Sequence, residues 1–243
     1  MKRALVILAI ALVLVAVALR LGRDPREGAA SGPAWSMEAS VIEASTCPVF
    51  CQCQQQFRRF NSAYLVNFGK FGVLALDGAK FWIAGDLGSD TGGGEMSWAV
   101  LTFDKATTRE QRDALGVILN RLLPVKWQSF STAEGDIEWT DLTRSRRLAP
   151  RDTDYARATL DGGRTAEVSL KRPGFAEDPS QDTMIQNLRY WGAKSNNGFV
   201  LMPAEVQAWR SGDKKFEYKG TDGFTLTFHI DSRIAASARA SKP

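Results

Sequence analysis

Three cysteines close together are the part of the sequence best suited to chemistry. The stretch TCPVFCQC, residues 46–53, holds every cysteine of the 243-residue chain. Thiolates bind soft metal ions such as Cu(I), exchange with other thiols, or form disulfides outside the cytoplasm. Cys47, Cys51 and Cys53 are therefore the candidate metal or thiol site.

Backbone geometry limits how these three sulfurs can meet. In an extended strand Cys47 and Cys51 would lie about 13 Å apart, at ~3.3 Å per residue, which is too far to share an ion. In a helix with Pro48 at its first position, Cys47 and Cys51 would be neighbours while Cys53 would face elsewhere. Three sulfurs on one ion therefore require a turn, and a disulfide between Cys47 and Cys51 is the alternative.

A metal ion bound by the three cysteines could take a fourth ligand from the single histidine of the chain. Zinc usually takes four nitrogen or sulfur ligands, and His229 is the single histidine of the chain. It lies in TLTFHID, where alternation puts Phe228 and Ile230 on one face of a strand and His229 on the polar face. His229 is an additional ligand only if the fold brings it to the cysteines, and a solvated position is the plainer interpretation.

Carboxylates form a second candidate site in a glycine-rich stretch. GDLGSDTGGGE, residues 85–95, contains Asp86, Asp90 and Glu95, which suit a hard cation or acid–base hydrolysis. The spacing does not match an EF-hand loop. The stretch also lacks the Gly-Lys-Ser/Thr ending and the following helix of a phosphate loop. A surface loop without chemistry is the competing interpretation.

The elements that must position these residues are mainly strands. Short apolar runs alternate with glycine and aspartate, as in β-sheet proteins. We predict strands at 36–45, two within 62–86 joined at Asp77-Gly78, one at 95–104, a hairpin over 154–172 turning at Asp161-Gly162-Gly163, and strands within 183–192 and 223–231.

One amphipathic helix interrupts the strands, over about residues 107–123. Thr107 and Glu110 have the spacing of a capping box, and Pro124 ends the pattern. Four apolar residues recur at helical spacing: Leu115, Ile118, Leu119 and Leu122. Strands on both sides of one helix predict an α+β fold built mainly on antiparallel β-sheet.

The N-terminus predicts membrane attachment. Met-Lys-Arg precedes the unbroken apolar run of residues 4–19, which is typical of a signal-anchor helix or a signal peptide. The predicted segments are a signal anchor or signal peptide at 1–19, a linker at 20–34, a single globular α+β domain at 35–235 and a C-terminal tail at 236–243. The globular part is then tethered to the membrane through residues 4–19 and lies outside the cytoplasm, in the periplasm.

The net charge does not indicate nucleic-acid binding. The formal charge of +4 arises within residues 1–26, and the rest of the chain has equal numbers of acidic and basic residues. A nucleic-acid-binding domain needs a basic patch on its folded surface. We therefore expect no nucleic-acid partner.

Several stretches together resemble a bacterial domain-of-unknown-function family, group thirteen-twenty-six. They are EASTCPVFCQC (43–53), LDGAKFWIAGDLG (76–88), EMSWAVLTFDKATTREQR (95–112), PVKWQSF (124–130), AEVSLKR (166–172), NLRYWGA (187–193) and NGFVLMP (197–203). The resemblance covers roughly residues 36–230 and implies an exported domain without an established activity. Members of that family often carry histidines and a further cysteine after the CPVFCQC-like stretch, whereas residues 54–61 of this chain contain neither.

Three functional hypotheses follow from the sequence. The first is a membrane-tethered extracytoplasmic domain with a binding or accessory role, which holds Cu(I) or exchanges thiols at the cysteine cluster. The second is a disulfide-stapled domain that serves as a protein-interaction module. The third and weaker one is a hydrolase-like enzyme that uses the carboxylates of residues 85–95.

Overall fold

Strands dominate the structure. The computed structural model describes residues 32–48, 59–88, 95–140, 154–171 and 183–233. Within them the helix α1 is Arg109–Leu122. The strands are β1 Trp35–Pro48, β2 Arg59–Phe71, β3 Leu74–Ala75, β4 Lys80–Asp86, β5 Glu95–Asp104, β6 Lys126–Gly135, β7 Ile137–Trp139, β8 Asp154–Leu160, β9 Ala166–Lys171, β10 Met184–Ile185, β11 Ser195–Asn196, β12 Phe199–Trp209, β13 Phe216–Tyr218 and β14 Thr221–Asp231.

The predicted α+β class is wrong, because the chain forms a mostly-β fold. All fourteen strands belong to one mixed sheet, in which β5 and β6 run parallel and the other pairs antiparallel. Among the described residues α1 is the one α-helix long enough to cover any part of the sheet. The α+β prediction gave weight to the single helix among the strands, whereas here the sheet curls and covers one of its own faces.

The N-terminal signal-anchor helix that we predicted lies outside the described residues. So does the predicted C-terminal tail. Within the part of the chain that the structure describes, no helix combines the length and the apolar character needed to cross a membrane.

The curl of the sheet encloses an inner core. The main strand order is β6-β5-β4-β2-β1-β14-β12-β9-β8-β7. Side chains from one half of this path, such as Ile42 and Trp82, belong to the same buried cluster as Ala158 and Val168 from the other half. All four side chains are 1% exposed or less, and the described helix packs in the other cluster, so the two halves of the sheet must fold over and cover each other on this face.

The outer face of the sheet carries a second core, which α1 covers. Leu115, Ile118 and Leu122 of the helix are fully buried. They pack in one cluster with outward-facing strand residues, including Tyr64 and Phe81. The helix lies between parallel β5 and β6 in the chain, as expected for a crossover connection.

The two ends of the strand path meet at one point. β6 and β7 are separated only by Asp136, although they stand at opposite ends of the strand order. The backbone N–H of Ile137 donates to Asp104 Oδ2 at 2.8 Å, and Lys80 Nζ lies 3.1 Å from the same carboxylate. Lys80 Nζ also donates to the carbonyl oxygen of Ile137. This ion pair therefore fastens the start of β7 against β4 and β5.

Local signals predicted several elements correctly. The strand at residues 95–104 and the helix are present, and the hairpin of β8 and β9 turns at Asp161, Gly162 and Gly163, which all have positive φ. Asp77 and Gly78 form the predicted turn before β4, where Gly78 has φ 75°. The strand predicted within 183–192 is wrong beyond Met184–Ile185, since the rest of that segment is irregular and forms a turn at residues 191–192.

The helix begins one residue later than the capping box predicted from Thr107. Thr108 is the N-cap: its hydroxyl accepts from the Gln111 N–H at 3.3 Å, and the Gln111 side chain accepts from the Thr108 N–H at 3.0 Å. Thr107 is instead buried and donates to the Lys80 carbonyl oxygen.

We expect Thr108→Ala to lower the free energy of unfolding by about 1 kcal/mol, because the N–H of Gln111 loses its acceptor. Chemical denaturation measures the change. Thr108→Ser is the matched control and retains most of the stability, since its hydroxyl reaches the same N–H. Equal losses in the two variants would mean that the cap contributes nothing.

Candidate functional site: a buried carboxyl cluster beside Cys47

Cys47 and Asp86 lie at the same end of the sheet. β2 separates the strands that carry them, and Arg59 at the start of β2 contacts both sides. Its backbone N–H donates to Thr46 Oγ1 at 3.4 Å, and its Nε donates to Asp86 Oδ2 at 3.3 Å. The fold thus brings together one residue from each of the two candidate sites.

The position of Asp86 shows a structural use for its carboxylate. Besides Arg59, it accepts the N–H of Gly88 at 2.9 Å, which fixes the start of the glycine-rich stretch. Asp90 and the side chain of Glu95 lie outside the described residues. The described part of this stretch therefore offers one carboxylate, and that carboxylate is ion-paired.

His229 lies far from Cys47. It pairs with Glu38 across β14 and β1, and Cys47 lies nine residues further along β1, or about 30 Å at ~3.3 Å per residue. The His229 side chain is 40% exposed and lies 3.9 Å from Asp231. It therefore lies on the exposed face that the alternation predicted and does not join Cys47.

Cys47 lies in an acidic and largely buried setting. Alternation along β1 places it on the same face as Glu43. Asp222 lies opposite, between Thr221, which pairs with Pro48, and Gly223, which pairs with Ala44. Burial, followed by the charge of Asp222, raises the pKa of the Cys47 thiol. Cys51 and Cys53 lie outside the described residues.

Glu43 is the centre of a buried hydrogen-bond network that spans three elements. Its Oε2 accepts from Ser62 Oγ at 2.7 Å and from the Tyr190 hydroxyl at 3.0 Å. The Tyr190 oxygen is in turn 2.6 Å from the hydroxyl of Tyr64. Since Tyr190 donates to Glu43, Tyr64 donates to Tyr190. All four side chains are almost fully buried.

The environment of Glu43 favours its protonated form. Burial raises its pKa from 4.5 to about 7, while hydrogen bonds from Ser62 and Tyr190 oppose this rise and the charge of Asp222 adds to it. Burial also raises the pKa of Asp222 to about 6. Neither carboxylate forms an ion pair with a lysine or arginine among the described residues. Two carboxyls with pKa values raised toward neutrality are therefore coupled to each other, and one of them, Asp222, also acts on Cys47.

The hydroxyls of Tyr64 and Tyr190 stay protonated, so this part of the network carries no charge. Burial first, and then the charge of Glu43, raise the pKa of Tyr64 and of Tyr190 above the ordinary value of 10. Both hydroxyls therefore act as hydrogen-bond donors at neutral pH. The network can hold or release one proton at Glu43, and burial removes it from direct contact with solvent.

Sequence reasoning missed Glu43, Tyr190 and Asp222. A signal for Glu43 was present: it continues the alternating row of Met37, Ala39 and Val41, which is the apolar face of β1. A carboxylate on an otherwise apolar face indicates a buried polar contact. No comparable signal marked Tyr190, because its contact with Glu43 joins residues 147 positions apart.

The described residues do not complete a metal site by themselves. No group of three or more histidine, cysteine, aspartate or glutamate side chains among them is arranged to hold an ion. Comparison of the chain with protein-family models, with curated proteins and with solved structures found no match.

Proposed function

We propose that this chain is a binding domain whose three cysteines bind a soft cation such as Cu(I) at the end of β1, near Asp222. The observation that carries the proposal is the half-buried carboxyl of Asp222 beside Cys47, which is coupled to the fully buried carboxyl of Glu43. The charge of Asp222 acts on Glu43 and on the thiol, and raises the pKa of both. A bound cation would stabilise the ionised forms of all these groups together.

The raised pKa of Cys47 favours metal binding over thiol exchange. A thiol reacts with disulfides as its thiolate, and reactive cysteines lie in electropositive surroundings that lower the pKa. Cys47 has acidic surroundings with the opposite effect. A metal ion displaces the thiol proton and so binds in spite of a high pKa, at the cost of pH dependence.

The choice of Cu(I) depends on the ligand set. Thiolates are soft ligands that suit a monovalent copper ion. Zinc would need a fourth ligand, and His229 lies about 30 Å along the sheet from Cys47 by strand length. A site of two or three thiolates with nearby carboxylates is therefore suited to a soft ion of low coordination number.

Titration of the full chain under reducing conditions tests the proposal, with Cu(I) supplied from a competing colorimetric chelator. We expect replacement of Cys47, Cys51 and Cys53 together by serine to weaken Cu(I) binding at least 100-fold. His229→Ala is the matched control and leaves the isotherm unchanged. An unchanged isotherm for the triple variant would refute the metal site.

A separate variant tests what the carboxyl of Asp222 contributes to Cu(I) affinity. Asp222→Asn removes a charge beside Cys47 without touching a sulfur. If the ion is stabilised by that charge, affinity falls by about tenfold, equivalent to about 1.4 kcal/mol. An Asp222→Asn chain that binds Cu(I) as tightly as the parent would show that the buried carboxyls serve only the fold.

A structural disulfide is the second candidate, favoured by the burial of Cys47 at the end of β1. It would pin residues 47–53 to the sheet and give the chain an interaction role without metal. Thiol titration of protein from its native compartment separates the two. One free thiol supports the disulfide, and three support the metal site.

Membrane tethering through residues 4–19, with the domain in the periplasm, stays a prediction.

A further inference from the structure

The free edge of β6 is exposed along nearly its whole length. Among the described residues β6 pairs only with β5, and every residue from Gln128 to Glu134 is exposed. Natural proteins usually protect such an edge with charged residues or proline. Between Lys126 and Glu134, β6 has neither, so its backbone N–H and C=O groups are open to another strand.

Two grooves lie on either side of this edge. The first, here called the helix groove, has a volume of about 570 Å³ and lies between α1 and strands β5 and β6. The second, the loop groove, has a volume of about 390 Å³ and lies between β6 and residues 209–214. Thr132, Ala133 and Glu134 line both grooves. The end of β6 therefore separates two concave surfaces.

The two grooves differ in chemistry. Leu101, Phe103 and Leu119 line the floor of the helix groove together with Phe130 of β6, whose ring is 52% exposed. Its charged lining residues are balanced, two arginines against two carboxylates. The loop groove is polar, and its lining carboxylates outnumber its single lysine, Lys214. The helix groove thus suits apolar side chains and the loop groove suits basic ones.

Gly116 indicates that the helix groove is left open. It lies in the middle of α1 and lines the groove, and a methyl group added to it would meet no atom within 4 Å. Glycine inside a helix costs about 1 kcal/mol relative to alanine. No contact within the described part of the chain requires a glycine at this position. A partner seated in the groove would account for it, because the partner needs the space that a larger side chain would fill.

We propose that β6 binds an extended segment of a partner protein by strand addition, and that the segment alternates apolar and basic residues. Successive side chains of an added strand point to opposite faces. One set would then enter the helix groove and the other the loop groove, while the backbone pairs with the free edge of β6. This inference goes beyond the proposed cation site and does not depend on the cysteines.

Calorimetric titration of the full chain with a capped nine-residue peptide that alternates valine and lysine tests this site. We expect binding together with at least tenfold slower amide hydrogen exchange along residues 126–135. A peptide of the same composition with its valines and lysines in separate blocks, and one that alternates valine and glutamate, should each bind at least tenfold more weakly. Equal binding of the block peptide, or no binding at millimolar peptide, would overturn the proposal.

Variants of α1 separate groove filling from loss of fold. Gly116→Leu places a side chain in the helix groove and should weaken the alternating peptide at least tenfold. Val117→Leu is the matched control, since Val117 is 46% exposed and does not line the groove; it should bind the peptide as the parent does. Sedimentation should show a monomer. A dimer with protected amides in residues 126–135 would assign the edge to a second copy and reject the partner segment.

Discussion

Replacing Glu43 by glutamine is expected to remove a decrease in stability of about 3 kcal/mol that the parent shows between pH 4.5 and pH 7. Burial raises the pKa of Glu43 from 4.5 to about 7, so between these values the folded chain holds a proton that the unfolded chain has lost. The free energy of unfolding is therefore highest below pH 4.5 and falls until pH 7. Glutamine cannot ionise, and its side-chain oxygen still accepts from Ser62 and Tyr190.

The measurement is urea denaturation of both chains at half-unit steps from pH 4.5 to pH 7.5, followed by tryptophan fluorescence. The quantity of interest is the difference between the two free energies at each pH, because the contributions of groups that do not interact with Glu43 cancel in it. Glu205→Gln, at an exposed position of β12, is the control and should give a profile parallel to the parent. Parallel profiles for the parent and Glu43→Gln would show that Glu43 has no raised pKa.

The same proton links stability to the proposed cation site. A cation near Asp222 and Glu43 favours their ionised forms and lowers their pKa values, so its binding releases protons. Cu(I) affinity should then rise with pH through the range of about 6 to 7 in which these two carboxyls titrate. At lower pH these carboxyls are protonated in the cation-free chain. A cation must then displace their protons in order to bind, which lowers its affinity. The site would therefore release its ion on acidification.

Local sequence features predicted many of the strand positions along the chain but not the way in which the sheet closes on itself. The run EMSWAVLTFD alternates and lies between turn residues, and β5 covers the same positions, Glu95–Asp104. The Asp161-Gly162-Gly163 turn likewise depends on residues that tolerate positive φ. The curl that joins Trp82 with Val168 in the inner core depends on contacts between distant strands, which no local pattern encodes.

The candidate site was predicted only in part for a related reason. The cysteine stretch was visible because rare residue types cluster in the sequence. The carboxyl cluster was not, since Glu43 and Asp222 meet only when β1 pairs with β14, and Tyr190 reaches Glu43 from a separate segment between β10 and β11. His229 shows the converse: strand pairing places it beside Glu38, at the opposite end of β1 from Cys47.

Replacing Lys80 by methionine is expected to lower the free energy of unfolding by about 3 kcal/mol, because it leaves a buried carboxylate without its cation. The Asp104 side chain is 8% exposed and lies 3.1 Å from Lys80 Nζ. Methionine keeps the apolar stem of the lysine and removes the charge. Among the described residues the Asp104 carboxylate would then keep two backbone donors, the N–H groups of Ile137 at 2.8 Å and Ala106 at 3.0 Å.

A second substitution distinguishes the charge from the packing. In Lys80→Met/Asp104→Asn the unpaired charge is gone, so denaturation should show recovery of more than half of the loss. Lys105→Met is the matched control: Lys105 also pairs with an aspartate, Asp136, but both side chains are more than half exposed. Solvent screens such a pair, and the unfolding midpoint should hardly move.

The comparison of Lys80→Met with Lys105→Met tests what closes the sheet, because of where the Lys80–Asp104 ion pair lies. Lys80 and Asp104 hold the N–H and the carbonyl oxygen of Ile137, where the two ends of the strand path meet. If the pair fastens that junction, Lys80→Met should speed amide exchange at Ile137 more than at the centre of β1. If Lys80→Met costs as little as Lys105→Met, apolar contacts of the inner core alone hold the curled sheet closed.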